Sequence, residues 1–263
     1  MKRDVSAHLT LDVTRPAFLV LSLAVAADYA AQESLAVTRD GEALRPREVL
    51  DQHGTRLHVL EPGVGELVID YSARIEGRLA PLEGEEVDRL RYLRPSRYAE
   101  SDILWATARA EFAGLAGSDL LAAVSSWVGT RLAYVPGSSL PTDGAERTLL
   151  ARQGVCRDFA HLVVALLRAL DVPARLVAVY APGLQPMDFH AVAEAWVDGQ
   201  WRVVDATTLA PRESLVRIAT GRDAADTAFL SVYDGVATLG EFTVGAGVDV
   251  LPDDDVREPA SIG

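Results

Sequence analysis

Residues 155–170, VCRDFAHLVVALLRAL, constrain the fold more than any other stretch of the chain. Val155, Phe159, Leu162, Val163, Leu166, Leu167 and Leu170 recur at helical spacing and form one broad apolar stripe. A helix with such a stripe packs its apolar face against other elements. Asp171-Val172-Pro173 ends it, because proline cannot continue the hydrogen-bond ladder. Strand-like runs follow at 174–180, 190–197 and 200–206. A sheet after the helix, with more helices before it, predicts an α+β core.

The first 80 residues carry a different period. Leu9, Leu11 and Val13 alternate with His8, Thr10, Asp12 and Thr14, as in a half-buried strand. An apolar run at 18–26, an Asp40-Gly41 hairpin signal and runs at 56–60 and 66–75 complete the pattern of a small antiparallel β-sandwich over 1–80. Residues 81–100, rich in Pro, Gly, Glu and Arg, read as a linker. The core spans 101–245, with Ser101 and Ser118 expected to cap two helices and a short helix near 143–152. Residues 246–263 are acidic and proline-containing, and read as a disordered tail.

With 25 Lys+Arg against 38 Asp+Glu, the 263-residue chain has a formal charge of −13. Nucleic acid and anionic membrane surfaces both need basic patches, so neither is an expected partner. No run reaches the ~18–20 apolar residues of a membrane span. AFLVLSLAVAA at 17–27 has the small-residue end of a secretory signal. The alternation before it and the residues Asp4, Asp12 and Pro16 favour a strand and a cytoplasmic protein. Cys156 is the only cysteine, which excludes an intrachain disulfide and a Cys-based zinc finger. There is no asparagine anywhere, so any thiol triad must be completed by an acid.

Cys156 stands in the first turn of the best helix, one residue past its apolar stripe. Unpaired N–H groups and the helix dipole there favour a thiolate, whereas a structural cysteine belongs on the stripe. A thiolate needs a base and the base an orienting group. Asp198-Gly199 forms a two-residue turn signal between HAVAEAWV and QWRVVDA. Closing it pairs Val197 with Gln200 and Trp196 with Trp201, and it brings His190 and Asp205 to one face as diagonal neighbours. The roles follow: Cys156 as nucleophile, His190 as its acid/base partner, Asp205 holding the imidazole, and the Cys156 N–H as oxyanion donor. No second donor is assignable. Trp196, Trp201 and Glu194 share this face, the tryptophans most simply as a cross-strand pair.

GVCRDFAHL, DFHAVAEAWV and WRVVDAT together resemble the bacterial branch of the transglutaminase-like superfamily, whose core is papain-like. LRYLRPSRYAESD, YVPGSS and TDGAERTLLARQG also resemble that branch, as does the strand-rich start, so the resemblance covers roughly residues 5–240. It implies Cys156, His190 and Asp205 as catalytic residues in a transglutaminase-like catalytic core behind an N-terminal β-sandwich. Members usually have Asp-Pro after the triad strand, and this chain has Asp205-Ala206-Thr207.

Asp158 and His161 could be metal ligands with Cys156 and His190, but on a helix they diverge from Cys156, and support of the helix entrance is the simpler role. Asp188 is expected to bond locally. No metal or other cofactor is expected, and no calcium loop is present. The expected activity is a cysteine-dependent hydrolysis of peptide or isopeptide-type amides through a thioester, with a protein or peptide as partner. Transamidation to an amine acceptor is the alternative activity, and a non-enzymatic binding protein on the same fold is the alternative class.

Overall fold

The computed structural model describes residues 1–263. The chain opens with β1 (Lys2–Arg15) and β2 (Phe18–Leu21), followed by β3 (Ala31–Arg39), β4 (Glu42–Leu44), β5 (Arg47–Leu50), β6 (Arg56–Leu60) and β7 (Gly65–Glu76). The alternation read from the sequence is realised in β1, where Val5, Ala7, Leu9, Leu11 and Val13 turn inward and their neighbours outward. Phe18–Leu21 forms β2, with Leu19 and Leu21 fully buried, so the apolar run that resembled a signal lies in the sandwich core.

Helices come next: α1 (Glu86–Arg91), α2 (Trp105–Phe112) and α3 (Gly117–Arg131). The two-residue β8 (Ala133–Tyr134) precedes α4 (Ala145–Ala151), and β9 (Gln153–Gly154) leads into α5 (Cys156–Ala169). The core sheet then forms from β10 (Ala174–Tyr180), β11 (His190–Val197), β12 (Gln200–Val204) and β13 (Val216–Gly221). A short α6 (Ala224–Thr227), β14 (Leu230–Tyr233) and β15 (Val236–Val248) end the regular structure. The architecture is an antiparallel sandwich joined to a core in which helices pack on an antiparallel sheet ordered β12-β11-β10-β13. Helix α5 is the centre of that core. Every residue from Asp158 to Ala169 is buried, so the helix is covered all round and not along a stripe alone. Arg168 is tolerated there because its guanidinium donates to the carbonyls of Ala174, Arg94 and Arg222 and to Ser96 Oγ.

Four expectations are corrected. The sandwich does not end at residue 80, nor the core at 245. Strand β15 pairs along the free edge of β1 in a sheet ordered β15-β1-β7-β3-β4, and β14 adds to β2 in the sheet β14-β2-β6-β5. Residues 246–263 are not a free tail: Ala260 and Ile262 are buried, Val203 donates to the Ala260 carbonyl, and Arg3 donates to the Gly263 carbonyl. Arg212 fastens the same segment through Asp254 and the carbonyls of Asp255 and Glu258. Within 81–100, α1 leads to Tyr92, which is buried edge-on against Trp201 at 5.7 Å. That packing makes the segment part of the body. Ser101 and Ser118 cap nothing; α2 and α3 start from Leu104 and Ala116.

Candidate active site

Asp198 and Gly199 have φ of 53° and 77°, the positive pair that a tight type I′ hairpin turn requires. The turn fixes the register of β11 and β12 from Val197↔Gln200 through Trp196↔Trp201 to Ala193↔Val204, as the sequence predicts. His190 therefore starts β11 while Asp205 follows directly on β12. Their side chains meet at 2.7 Å, His190 Nε2 to Asp205 Oδ2, with both residues buried. The other ring nitrogen, Nδ1, is buried without a hydrogen bond of normal geometry. Cys156 is partly exposed, lines the same cavity as His190 and favours the charged form of that ring. All three sequence-predicted residues thus converge.

Burial is the strongest influence on His190 and disfavours its charged form, but Asp205 and then Cys156 outweigh it and push its pKa up to about 10. For Asp205 burial also works against charge. The His190 ring and two donors from Thr207 overcome it, holding the carboxyl below its ordinary range. Thr207 donates from its backbone N–H at 2.9 Å and its hydroxyl at 2.7 Å to Asp205 Oδ1, leaving Oδ2 for the imidazole. Thr207 thus clamps the carboxylate, a role that sequence spacing did not show.

At the helix entrance, Asp158 accepts from the Val155 N–H at 2.8 Å and binds Arg157. His161 Nε2 accepts from the Ala224 N–H, and its ring stacks on Tyr98 at 5.4 Å. Neither points chemistry at Cys156; both brace the helix. Glu194 is not part of the His190 surroundings. It bridges Arg175 at 2.8 Å and Arg217 at 2.6 Å in a fully buried ion cluster. The Trp196–Trp201 pair is present, edge to face at 5.5 Å.

Tyr134 is a further site residue that sequence reasoning missed. The parallel bridge of β8 with β9 sets it opposite Gly154, two residues before Cys156, and its ring packs on Phe159 at 5.9 Å. Among its neighbours, the Cys156 thiol acts most strongly on its hydroxyl. Burial and that thiol push its pKa up to about 12, so it remains a proton donor at neutral pH. YVPGSS carried no spacing that tied it to Cys156; only the bridge does.

A cavity of about 700 Å³ opens beside Cys156 and His190. The core sheet supplies part of its wall, through Leu176, Ala178 and Ile218. Phe229, Leu230 and Tyr233 line another side, so the sandwich strand β14 contributes to the cleft.

The sequence pattern of the transglutaminase-like superfamily matches residues 111–206, a stretch that contains Cys156, His190 and Asp205. A solved structure from Cytophaga hutchinsonii, described as that of a candidate cysteine protease, is 32% identical over 100% of this chain and 98% of its own, with a TM-score of 0.89. This chain belongs to the transglutaminase-like superfamily. An uncharacterized protein of Mycobacterium leprae is 30% identical over 125 residues, 43% of this chain and 44% of its own length. One of Mycobacterium tuberculosis is 35% identical over 151 residues, 51% and 47% respectively. The matched stretch spans just under half of these curated relatives.

Proposed function

We propose that this superfamily member is a cysteine-dependent hydrolase of peptide or isopeptide-type amide bonds. The observation that carries the reading is the 2.7 Å His190–Asp205 bond, which commits Nε2 and leaves the buried Nδ1 as the free nitrogen of a ring that shares its cavity with Cys156, in the first turn of α5. In this reading the Cys156 sulfur attacks the amide carbonyl. His190 passes its proton to the leaving amine, and the C–N bond breaks to leave a thioester. Water, deprotonated by His190, then attacks the thioester and regenerates the thiol. Asp205 keeps the ring oriented through both steps and stabilises the imidazolium each time it forms. The Cys156 N–H and the Tyr134 hydroxyl supply the two donors for the developing oxyanion.

Water is the default acceptor because it needs no site of its own, whereas transamidation needs an amine held against the thioester. The test is amine release from a panel of peptide and isopeptide amides by wild type and Cys156→Ala, with and without an added primary amine. Cys156-dependent release with the free acid as product supports hydrolysis. Acyl transfer to the added amine as the main product makes it a transamidase, and equal turnover by Cys156→Ala would reject the thiol mechanism.

A further inference from the structure

The cavity beside Cys156 contains a charged group that the proposed chemistry leaves unused. Asp188 lies at its rim, two residues before His190, in a segment pinned by Phe189 against Tyr180, Phe229 and Phe242 at 5.2–5.6 Å. Oδ1 of Asp188 accepts the Phe189 N–H at 2.7 Å. No lysine, arginine or histidine pairs with the carboxylate, although the chain has 25 Lys+Arg. The two cations on the wall are already engaged, His190 by Asp205 and Arg157 by Asp158, Ser139 Oγ and the Leu140 carbonyl. Around this lone acid the lining is mainly apolar and small, with Ala178, Ala191, Ala224, Ala225 and Ala228 leaving room for a side chain.

In a peptide with a free amino terminus, the ammonium group sits on the carbon bonded to the first amide carbonyl. A carbonyl carbon held at Cys156 puts that ammonium and the first side chain inside the same cavity that Asp188 and the alanines line. We propose that Asp188 and this wall select acyl donors with an unblocked amino terminus and an apolar first side chain. The inference rests on the thiol chemistry proposed above and names the substrate class for it. The complementary charge forms a charge-assisted hydrogen bond, which a neutral, acylated amine cannot replace.

The test measures labelling of Cys156 by intact mass, using phenylalanine chloromethyl ketone with a free amine, its N-acetyl form and the unblocked glycine ketone. Each rate is divided by the reagent's rate with glutathione, and iodoacetamide serves as a control without a recognition element. The unblocked phenylalanine reagent is expected to react about tenfold faster or more than the acetylated one and faster than the glycine reagent. In Asp188→Asn, which keeps an acceptor for the Phe189 N–H, the ratio of free to acetylated reagent collapses toward one. Equal rates, a faster acetylated reagent or a preference that survives Asp188→Asn would overturn the selection while leaving the thiol chemistry standing. Failure of iodoacetamide to label Cys156 would instead remove the nucleophile on which the selection rests.

Discussion

Asp205→Ala removes the acceptor at 2.7 Å from His190 Nε2 while leaving the ring in its buried position. With Asp205 and Cys156 in place, the His190 pKa rises from 6.5 to about 10 against the opposing effect of burial. A rise of that size corresponds to about 5 kcal/mol in favour of the imidazolium, shared between the two partners. Without Asp205, burial becomes the dominant influence, and the ring is expected to be neutral at about pH 8, where the wild-type ring is still charged. Histidine NMR of labelled protein reads this directly, with the His190 resonance assigned by its loss in His190→Gln. A stability readout has the same origin. A histidine whose folded pKa is raised stabilises the fold fully below its unfolded pKa of 6.5 and loses that contribution as pH climbs through about 10. This alkaline decline should flatten in Asp205→Ala. Turnover should fall by about a thousandfold or more, as when an orienting carboxylate is lost from a triad. Identical His190 titration in wild type and Asp205→Ala would refute the reasoning.

Other outcomes follow from the same structure. Thr207→Val removes one of two donors to Asp205 Oδ1, and it should lower kcat about tenfold with little change in KM and a stability loss of about 1 kcal/mol by urea unfolding. Glu194→Leu strands Arg175 and Arg217, both at most 2% exposed, and should cost about 3–5 kcal/mol in denaturant midpoint measurements. The Glu194 pKa is lowered to about 2 because the two arginines outweigh burial. Its contribution is therefore present above 4.5 and lost as pH falls from there toward 2, and the variant's stability should vary less over that acid range. Arg212→Ala releases Asp254 and the carbonyls of Asp255 and Glu258; amide exchange after residue 250 should accelerate while β15 stays protected.

The site was legible because its geometry follows from local rules. Asp198-Gly199 fixes a hairpin register by turn chemistry, and that register carries His190 to Asp205; the 155–170 period places Cys156 at a helix start. What escaped depended on distant partners. VATLGEFTVGAGV reads as a strand, but nothing in it says that it pairs with β1, more than 220 residues away. The acidic composition of 246–263 implied solvation, yet Arg3 and Arg212 satisfy carbonyls and a carboxylate of that segment, and two of its apolar residues, Ala260 and Ile262, are buried. Glu194 pairs with arginines on β10 and β13, an arrangement that needs the sheet order to be known. Thr207 and Tyr134 reach the site through a turn and a two-residue bridge, features too short to leave a periodic trace.

The central claim is that Cys156 forms a thioester whose formation depends on His190. It is tested most directly by mixing the protein with an activated acyl ester, quenching in acid and mapping the added mass. The account predicts a single acyl group on Cys156 that decays to free acid on standing at neutral pH, with none on Cys156→Ala and at least a hundredfold slower loading in His190→Ala, about the contribution of a general acid/base. Acylation elsewhere in the chain, or loading of Cys156 at the wild-type rate in His190→Ala, would contradict it.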